Sequence, residues 1–413
     1  MIRKRMASLP WEIVMDILNG LPGKDLLRYR CVSKSWRSLI DDPDFIKSHL
    51  KRSKETLSNT SLVLVDCYDH NVIGVDLDVL DSLENLDSPV DGRVKAVVGS
   101  SNGLLALESG KHIILWNPTT RRYRKLTLPR LVQPAVYGFG HDPVNDDYKM
   151  VRVMSFGLPF GGIGQQISRN KVEVYSVKSN TWKPVNDFPY HFHSWSESGV
   201  LVSNALHWVV YRELCIMLPS MTTCYGSSLI IAFDLVTGEY REVPLPFNKN
   251  NGVRMTVGVL GGSLCAIFNY LVRDIKTNEG YSSDHVDMWV MKEYGVKESW
   301  TKLCTVGQRH VIGPLNYVLP IAYLKIGNRV LMNHNGERFM WYDLETEMAE
   351  NVIIFGSPYK SMKIVLCETS LIGLDRRSGW KRVDEEEEAD NGRSQLGLYR
   401  RRVSTMESGK WIL

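Results

Sequence analysis

The feature that most restricts the possible folds is an imperfect repeat that runs along most of the chain. In each copy, an apolar strand that ends in an aromatic residue is followed by a polar turn and a second strand. The aligned aromatic residues are Trp116, Tyr175, Phe233, Trp289 and Tyr342. They are separated by steps of 59, 58, 56 and 53 residues. A period of this size, with strand patterns and no helical pattern, predicts the blades of a β-propeller.

Each repeat also contains a second hairpin, so four strands are available for each blade. The pairs that supply the positive φ angles of these tight turns include Asn102-Gly103, Gly261-Gly262 and Asn335-Gly336. Five copies are visible, and strand patterns at 61–78 and 362–374 together complete a sixth. A blade closed by both ends of the domain removes free strand edges. We therefore predict six blades, with five or seven as alternatives and a β-sandwich as the competing fold.

The N-terminal residues have a helical pattern instead. Leu9, Ile13, Ile17 and Leu21 recur every four residues, which predicts one short helix. Two further helices follow, and a fourth helix after Pro43 is expected to couple the two domains. Three helices this short cannot bury enough apolar surface to be stable alone. They also carry more apolar residues than one internal face requires, which predicts an external surface that binds another protein.

The distribution of charge argues against nucleic-acid binding. Residues 1–60 hold 12 Lys and Arg against 7 Asp and Glu, so the remainder holds 38 against 39. A nucleic-acid groove would require clustered basic residues. The seven cysteines are odd in number and never spaced as C-x-x-C, which predicts reduced thiols in a cytoplasmic or nuclear protein. No signal peptide is recognised, and no segment approaches the ~20 apolar residues of a membrane span.

The sequence contains only incomplete versions of motifs for catalysis or cofactor binding. The glycine-rich residues 157–164 lack the ending of a phosphate-binding loop. His191 and His193 have no further metal-ligand residue at a supporting spacing. The sequence HDPVNDDY at 141–148 lacks the glycine and glutamate of a calcium loop and predicts a turn capped by aspartates. We therefore predict no catalytic residue, no cofactor and no metal site.

The N-terminal pattern resembles an F-box in the strings LPWEIVMDIL, LPGKDLLRYRCVSKSW and WRSLIDDPDF. F-box proteins recruit a client to a Skp–cullin ubiquitin ligase, with the F-box held by the Skp adaptor. The resemblance implies a Skp-type adaptor and, through it, cullin as partners. The positions it assigns to the adaptor, or to the packing that presents them, are Leu9, Pro10, Ile13, Ile17, Leu18, Leu21, Pro22, Leu26, Leu27, Val32 and Trp36.

The repeats resemble the F-box-associated and kelch-like domains of a large plant F-box family. The matching strings include GSSNGLL, LWNPTTRRYRKL, YGFGHDPVNDDYKMVRV and VEVYSVKSNTWK. Strict kelch repeats carry a Gly-Gly pair in every blade, and only Gly261-Gly262 is a trace of it here. The resemblance implies a client receptor of a ubiquitin ligase, with plant defence signalling and pollen self-incompatibility as the two alternative roles. A scaffold or transcriptional regulator that acts outside a ligase is the rival of a different class.

Three interblade segments are longer and more apolar than a turn requires, namely residues 156–166, 188–195 and 215–225. Loops on a rigid scaffold commonly carry binding. The residues that we expect to contact a client protein are Phe160, Tyr190, Phe192, Trp195, Met217, Met221 and Tyr225. Covering the edges of the propeller is the alternative role for these residues. The predicted boundaries are an F-box at 1–46, a helical linker at 47–60, a propeller at 61–375 and a disordered tail at 376–413.

Overall fold

The computed structural model describes most of the chain, with short gaps. The described residues are 9–56, 59–66, 71–77, 82–90, 94–128, 135–156, 169–186, 188–192, 198–212, 216–218, 221–223, 228–247, 253–273, 281–324, 328–352, 362–373 and 380–383.

Four α-helices precede the first strand. They are α1 (Trp11–Asn19), α2 (Gly23–Tyr29), α3 (Lys34–Ile40) and α4 (Pro43–Glu55). Side chains satisfy the free amides at two of the helix starts. Ser33 Oγ accepts from the Trp36 amide at 3.0 Å, and the Asp42 carboxylate accepts from the first amides of α4. The fourth helix confirms the prediction of a helix after Pro43.

The strands of the first half of the chain are β1 (Thr60–Asp66), β2 (Val72–Asp76), β3 (Leu83–Asn85), β4 (Val94–Ser101), β5 (Leu104–Ser109), β6 (His112–Asn117), β7 (Arg122–Thr127), β8 (Ala135–Asp142), β9 (Asp147–Phe156), β10 (Arg169–Ser176), β11 (Thr181–Pro184), β12 (Val200–Val202) and β13 (Ala205–Tyr211).

The strands of the second half are β14 (Ile216–Leu218), β15 (Met221–Thr223), β16 (Ser228–Asp234), β17 (Tyr240–Val243), β18 (Val253–Leu260), β19 (Ser263–Arg273), β20 (Tyr281–Met291), β21 (Trp300–Gly307), β22 (Val318–Tyr323), β23 (Arg329–His334), β24 (Arg338–Asp343), β25 (Ala349–Val352), β26 (Met362–Glu368) and β27 (Lys381–Arg382). Short 3-10 helices at Lys297–Ser299 and Gln308–His310 flank β21.

Apart from β14 and β15, which pair only with each other, the strands of the described residues form six antiparallel sheets, which are the blades of a propeller. From the inside outward they are blade 1 (β26, β1, β2, β3), blade 2 (β4 to β7), blade 3 (β8 to β11), blade 4 (β12, β13, β16, β17), blade 5 (β18 to β21) and blade 6 (β22 to β25). The inner strands of neighbouring blades contact one another for most of the way around the ring. The prediction of six blades is confirmed, and the β-sandwich is not the fold.

The core is divided into six apolar clusters, one between each pair of neighbouring blades. Strand alternation explains this arrangement, because successive side chains point to opposite faces of a sheet. In β1, Leu62 and Leu64 pack towards blade 6, whereas Val63 and Val65 pack towards blade 2. Blades buried on both faces therefore have strands that are apolar almost throughout.

The repeat predicted from the sequence agrees with the blades of the structure. Its five aromatic residues all lie in the third strand of a blade, in β6, β10, β16, β20 and β24. The predicted turn pairs also adopt positive φ, with values of 55° and 80° at Asn102 and Gly103. Gly103 is required for a second reason, since a Cβ atom there would lie 2.3 Å from Ser370 Oγ.

The two ends of the propeller domain meet in blade 1, as predicted. β26 pairs with β1 along seven residues, from Thr60 opposite Glu368 to Asp66 opposite Met362. The predicted start of a disordered tail at 376 is wrong in part. Residues 381–382 form β27, which adds a fifth strand to the outer edge of blade 2. Residues 384–413 lie outside the described residues.

The propeller has a helical face, which contacts the helices, and an opposite face. The β4–β5 turn and the β8–β9 turn lie on the helical face, where Lys54 and Lys47 of α4 bond to Asn102 and Asp146. Strands that start at these turns run away from the helices. β9 therefore ends at Phe156 on the opposite face, about 30 Å away at ~3.3 Å per residue.

Candidate protein-interaction surface

The first helix is covered on one side only. Leu18 is fully buried and Val14 packs beside it. Ile13 and Ile17, which occupy another side of the same helix, remain about half exposed at 45% and 51%. This side of α1 is therefore open over the turn of helix from Ile13 to Ile17.

The second and third helices extend the open surface. Leu26 and Ile40 point into the helical core, whereas Tyr29 and Val32 remain exposed. Tyr29 meets Trp36 edge to face, with 6.0 Å between ring centroids. This contact joins α2 to α3 and holds the exposed aromatic ring in place.

Together the helices present an unusually apolar exterior. We define the apolar helical surface as Leu9, Trp11, Ile13, Met15, Ile17, Tyr29 and Val32, which are each 38–61% exposed. These seven are the majority of the thirteen large apolar residues that are exposed in the described part of the chain. Exposed apolar residues this concentrated indicate a protein-binding surface.

The core beneath this surface is shared with the propeller. Leu18, Leu26 and Ile40 pack with Phe45 and Ile46 of α4. Leu371, which follows the innermost strand of blade 1, is 1% exposed and completes the same cluster. The helices therefore do not form an independent unit, as their small size predicts.

Ion pairs fix the position of the helices on the propeller. Lys47 Nζ lies 2.7 Å from Asp146 Oδ2, in the β8–β9 turn, and Lys24 of α2 pairs with Glu84 of blade 1. The hydrogen bond from Lys47 lowers the pKa of Asp146 and raises the pKa of Lys47. Both partners are more than half exposed, so the pair adds orientation more than stability.

The predicted adaptor residues separate into two groups. Leu9, Pro10, Ile13, Ile17, Pro22 and Val32 are exposed, whereas Leu18, Leu21, Leu26, Leu27 and Trp36 are buried or half-buried in the helical packing. Sequence reasoning missed Trp11, Met15 and Tyr29. The four-residue spacing of Trp11 and Met15 is the signal that could have identified a second exposed stripe on α1. The binding role of all these residues stays a prediction.

The predicted client residues are described only in part. Phe192 is half-buried and stacks on Phe188 with 5.1 Å between ring centroids. Tyr190 also packs against the cluster between blades 3 and 4, and its hydroxyl donates to Glu242 at 3.2 Å. These contacts match the alternative that such residues cover the propeller edge.

The structure gives less information on the other residues predicted to contact a client. Met217 lies in β14 and Met221 in β15, a separate two-stranded hairpin between β13 and β16. Phe160, Trp195 and Tyr225 lie outside the described residues. Contact with a client stays a prediction for the whole set.

The polar motifs have structural roles where they are described. Asp142 Oδ1 accepts from the amides of Val144 and Asn145 at 3.0 and 3.1 Å, which confirms a turn capped by aspartate. Over the described ranges, no group of three or more His, Cys, Asp or Glu is arranged to hold a metal ion. Burial raises the pKa of the Cys265 and Cys304 thiols to about 12, so both are protonated at neutral pH. Within the described residues, every helix is too short or too polar to cross a lipid bilayer.

Six blades with a helical domain docked on one face define a two-domain protein, and the open apolar surface on the helical domain is its candidate protein-interaction surface. Residues 6–48 match the F-box domain, and residues 54–372 match the F-box associated beta propeller domain. The chain therefore belongs to the family of F-box proteins with an F-box associated propeller. Proteins of this family are typically non-catalytic adaptors, and the F-box implies binding of a Skp-type adaptor.

Relatives in Arabidopsis thaliana match over most of their length. The chain is 34% identical to "F-box protein CPR1", covering 89% of both chains. It is 29% identical to "F-box protein At4g22390", covering 83% of this chain and 85% of that one. It is 30% identical to "F-box/kelch-repeat protein At3g23880", over 75% and 82% respectively. The resemblance to plant F-box proteins is thus confirmed.

Proposed function

We propose that this protein is the substrate-recognition subunit of a Skp–cullin–F-box ubiquitin ligase. The apolar helical surface binds the Skp adaptor, and the propeller binds a client protein, which is then ubiquitinated and degraded by the proteasome. The observation that supports this proposal best is the concentration of exposed apolar side chains on helices whose other side is packed on the propeller.

The contribution of such a subunit is physical and not catalytic. By holding the client beside the conjugating enzyme, it replaces a bimolecular encounter with a local one at high effective concentration. This requires a fixed distance and orientation between the two binding surfaces. The shared core around Leu371 and the Lys47–Asp146 and Lys24–Glu84 pairs fix that distance and orientation.

The family resemblance favours a client that is a receptor-type protein of plant defence signalling. We propose cytoplasmic or nuclear location, supported by the odd number and wide spread of the seven cysteines and by the free thiols of Cys31, Cys265, Cys304 and Cys367 among the described residues. Deleting the gene should raise the amount of the client without changing its messenger RNA, and imaging of a tagged chain should show cytoplasmic or nuclear signal. A client level that is unchanged after deletion would contradict the degradation step.

The adaptor interaction can be tested with a matched pair of variants. Ile17→Asp places a charge in the apolar helical surface, where Ile17 is 51% exposed. Ile312→Asp makes the same change on the propeller, where Ile312 is 61% exposed. We expect the wild type and Ile312→Asp to co-purify Skp adaptor and cullin, and Ile17→Asp to lose both. Equal recovery of the adaptor by both variants would contradict the proposed surface.

The same experiment separates the main alternative, a regulator that binds the Skp adaptor but acts outside a ligase. Such a protein would recover Skp adaptor without cullin, and its client would not accumulate after deletion.

A further inference from the structure

The segment from Glu368 to Ile372, which we call the latch, joins three parts of the molecule. Glu368 is the last residue of β26 and pairs with Thr60, so the latch begins where the propeller ring is closed. Thr369 continues this junction, because its amide donates to the Asn59 carbonyl oxygen at 2.6 Å. Asn59 lies in the connection between α4 and β1.

The latch supplies part of the helical core. Leu371 is 1% exposed and packs in the cluster that contains Leu18, Leu26 and Ile40. Ile372 packs at the edge of this cluster and also against the cluster between blades 2 and 3. The helical core therefore contains a side chain that is in place only when the C-terminal end of the propeller is in place.

The latch is also held by buried hydrogen bonds from blade 2. Asn117 Nδ2 donates to the carbonyl oxygens of Ser370 and Ile372 at 3.1 and 2.8 Å. Ser370 Oγ donates to the Asn102 carbonyl oxygen at 2.7 Å, and the Gly103 amide donates to Glu368 Oε2 at 3.2 Å. Asn117 and Ser370 are fully buried, so losing these bonds would leave polar groups without water.

Backbone atoms of two glycines, Gly103 and Gly23, lie close to the latch on opposite sides. A Cβ atom at Gly103 would lie 2.6 Å from the Glu368 carbonyl oxygen. On the other side, a Cβ atom at Gly23 of α2 would lie 3.4 Å from the Thr369 carbonyl oxygen. The latch thus lies between the start of α2 and the β4–β5 turn with little free space on either side.

We propose that the latch couples closure of the propeller to the conformation of the adaptor-binding helices. When β26 separates from β1, Leu371 leaves the helical core, and a bundle of this size cannot stay ordered with a smaller core. Coupling of this kind is reciprocal, so an adaptor that binds the ordered helices also stabilises the closed ring. The inference rests on the proposed function only for the identity of that adaptor.

The coupling can be tested by hydrogen–deuterium exchange of the full-length chain. Leu371→Ala removes the latch side chain, and Leu264→Ala is the matched control, since Leu264 is 1% exposed in the cluster between blades 4 and 5. We expect Leu371→Ala to accelerate exchange of the α1, α2 and α3 amides at least about tenfold, and the control to leave it unchanged. Exchange in these helices that is unchanged in Leu371→Ala, or equally accelerated in the control, would overturn the coupling.

A milder variant covers the case in which Leu371→Ala does not fold. Ser370→Ala removes the hydroxyl bond to Asn102 and keeps Leu371, so we expect about fivefold faster exchange in the helices. Unchanged exchange in Ser370→Ala would count against the coupling in the same way.

The reciprocal effect is tested by adding purified Skp adaptor to the wild type. We expect slower exchange of the β26 and β1 amides, since neither strand carries a residue of the apolar helical surface. Bound adaptor with unchanged exchange in β26 would overturn the reciprocal coupling. Failure of the adaptor to bind would instead refute the proposed function, and the comparison of Leu371→Ala with Leu264→Ala in the free protein would still decide whether the latch controls the helices.

Discussion

Two neighbouring residues of α1 provide a sharp test of the apolar helical surface. Ile17 is 51% exposed, and Leu18 is 0% exposed. Full burial of an isoleucine side chain contributes roughly 1.5–3 kcal/mol, so the exposed half of Ile17 can contribute about 1 kcal/mol on binding. Ile17→Ala should therefore weaken adaptor binding about fivefold. Leu18→Ala leaves a cavity and should destabilise the helical core by about 2–5 kcal/mol.

The two variants are distinguished by measuring affinity and stability separately. Titration calorimetry with purified Skp adaptor gives the dissociation constant, and chemical denaturation followed by circular dichroism gives the free energy of unfolding. Ile17→Ala should change the first and alter the second by less than about 1 kcal/mol, because alanine is the better helix former. If Ile17→Ala binds with wild-type affinity while Leu18→Ala is destabilised, the open side of α1 does not bind the adaptor.

Three further predictions concern the propeller. Gly103→Ala should lower the free energy of unfolding by more than about 1 kcal/mol in chemical denaturation, because residue 103 has φ of 80° and no space for a Cβ atom. Burial lowers the pKa of His207 to about 4, so the unfolded chain binds the proton more tightly. Its contribution to stability should fall by up to about 3 kcal/mol as pH drops from 6.5 to 4, and His207→Gln should flatten the measured pH dependence there. Phe192→Ala should lower stability by about 1–3 kcal/mol in the same assay, since it loses the stack on Phe188; an unchanged value would restore Phe192 as a free contact residue.

The propeller could be predicted from the sequence because its determinants are local. Alternating side chains such as Leu62 and Val63 fill opposite clusters, so each strand carries its own pattern. Turns that require positive φ mark the strand ends. The closure of blade 1 by both ends of the domain could also be predicted, because strand patterns at each end of the domain lay outside the five visible repeats.

The exposed and buried sides of the helices could not be predicted in the same way. Ile17 and Leu18 are both apolar residues of the helical pattern, so the sequence does not tell which one is buried. Leu18 is buried because α4 and Leu371 belong to the cluster that covers it, whereas Ile17 stays half exposed. Leu371 is distant in sequence, and no local pattern connects it to α1. The packing of Tyr190 and Phe192 was only one of two predicted roles for the same reason, because Phe188, which contacts both rings, is positioned by a bridge to Asn170 in β10.

Strand direction gives the geometry of the proposed receptor. Lys47 and Lys54 place α4 at the β8–β9 and β4–β5 turns, where the second strand of blade 3 and of blade 2 begins. In each blade this second strand carries the chain from the helical face to the opposite face. The connections that follow β9 at Phe156 and β13 at Tyr211 therefore start on the opposite face, and these include two of the three segments predicted to contact a client. A client bound there would face away from the Skp adaptor, with the rigid propeller as the spacer between them. In this arrangement the proposed client site and the apolar helical surface lie on opposite faces of the propeller.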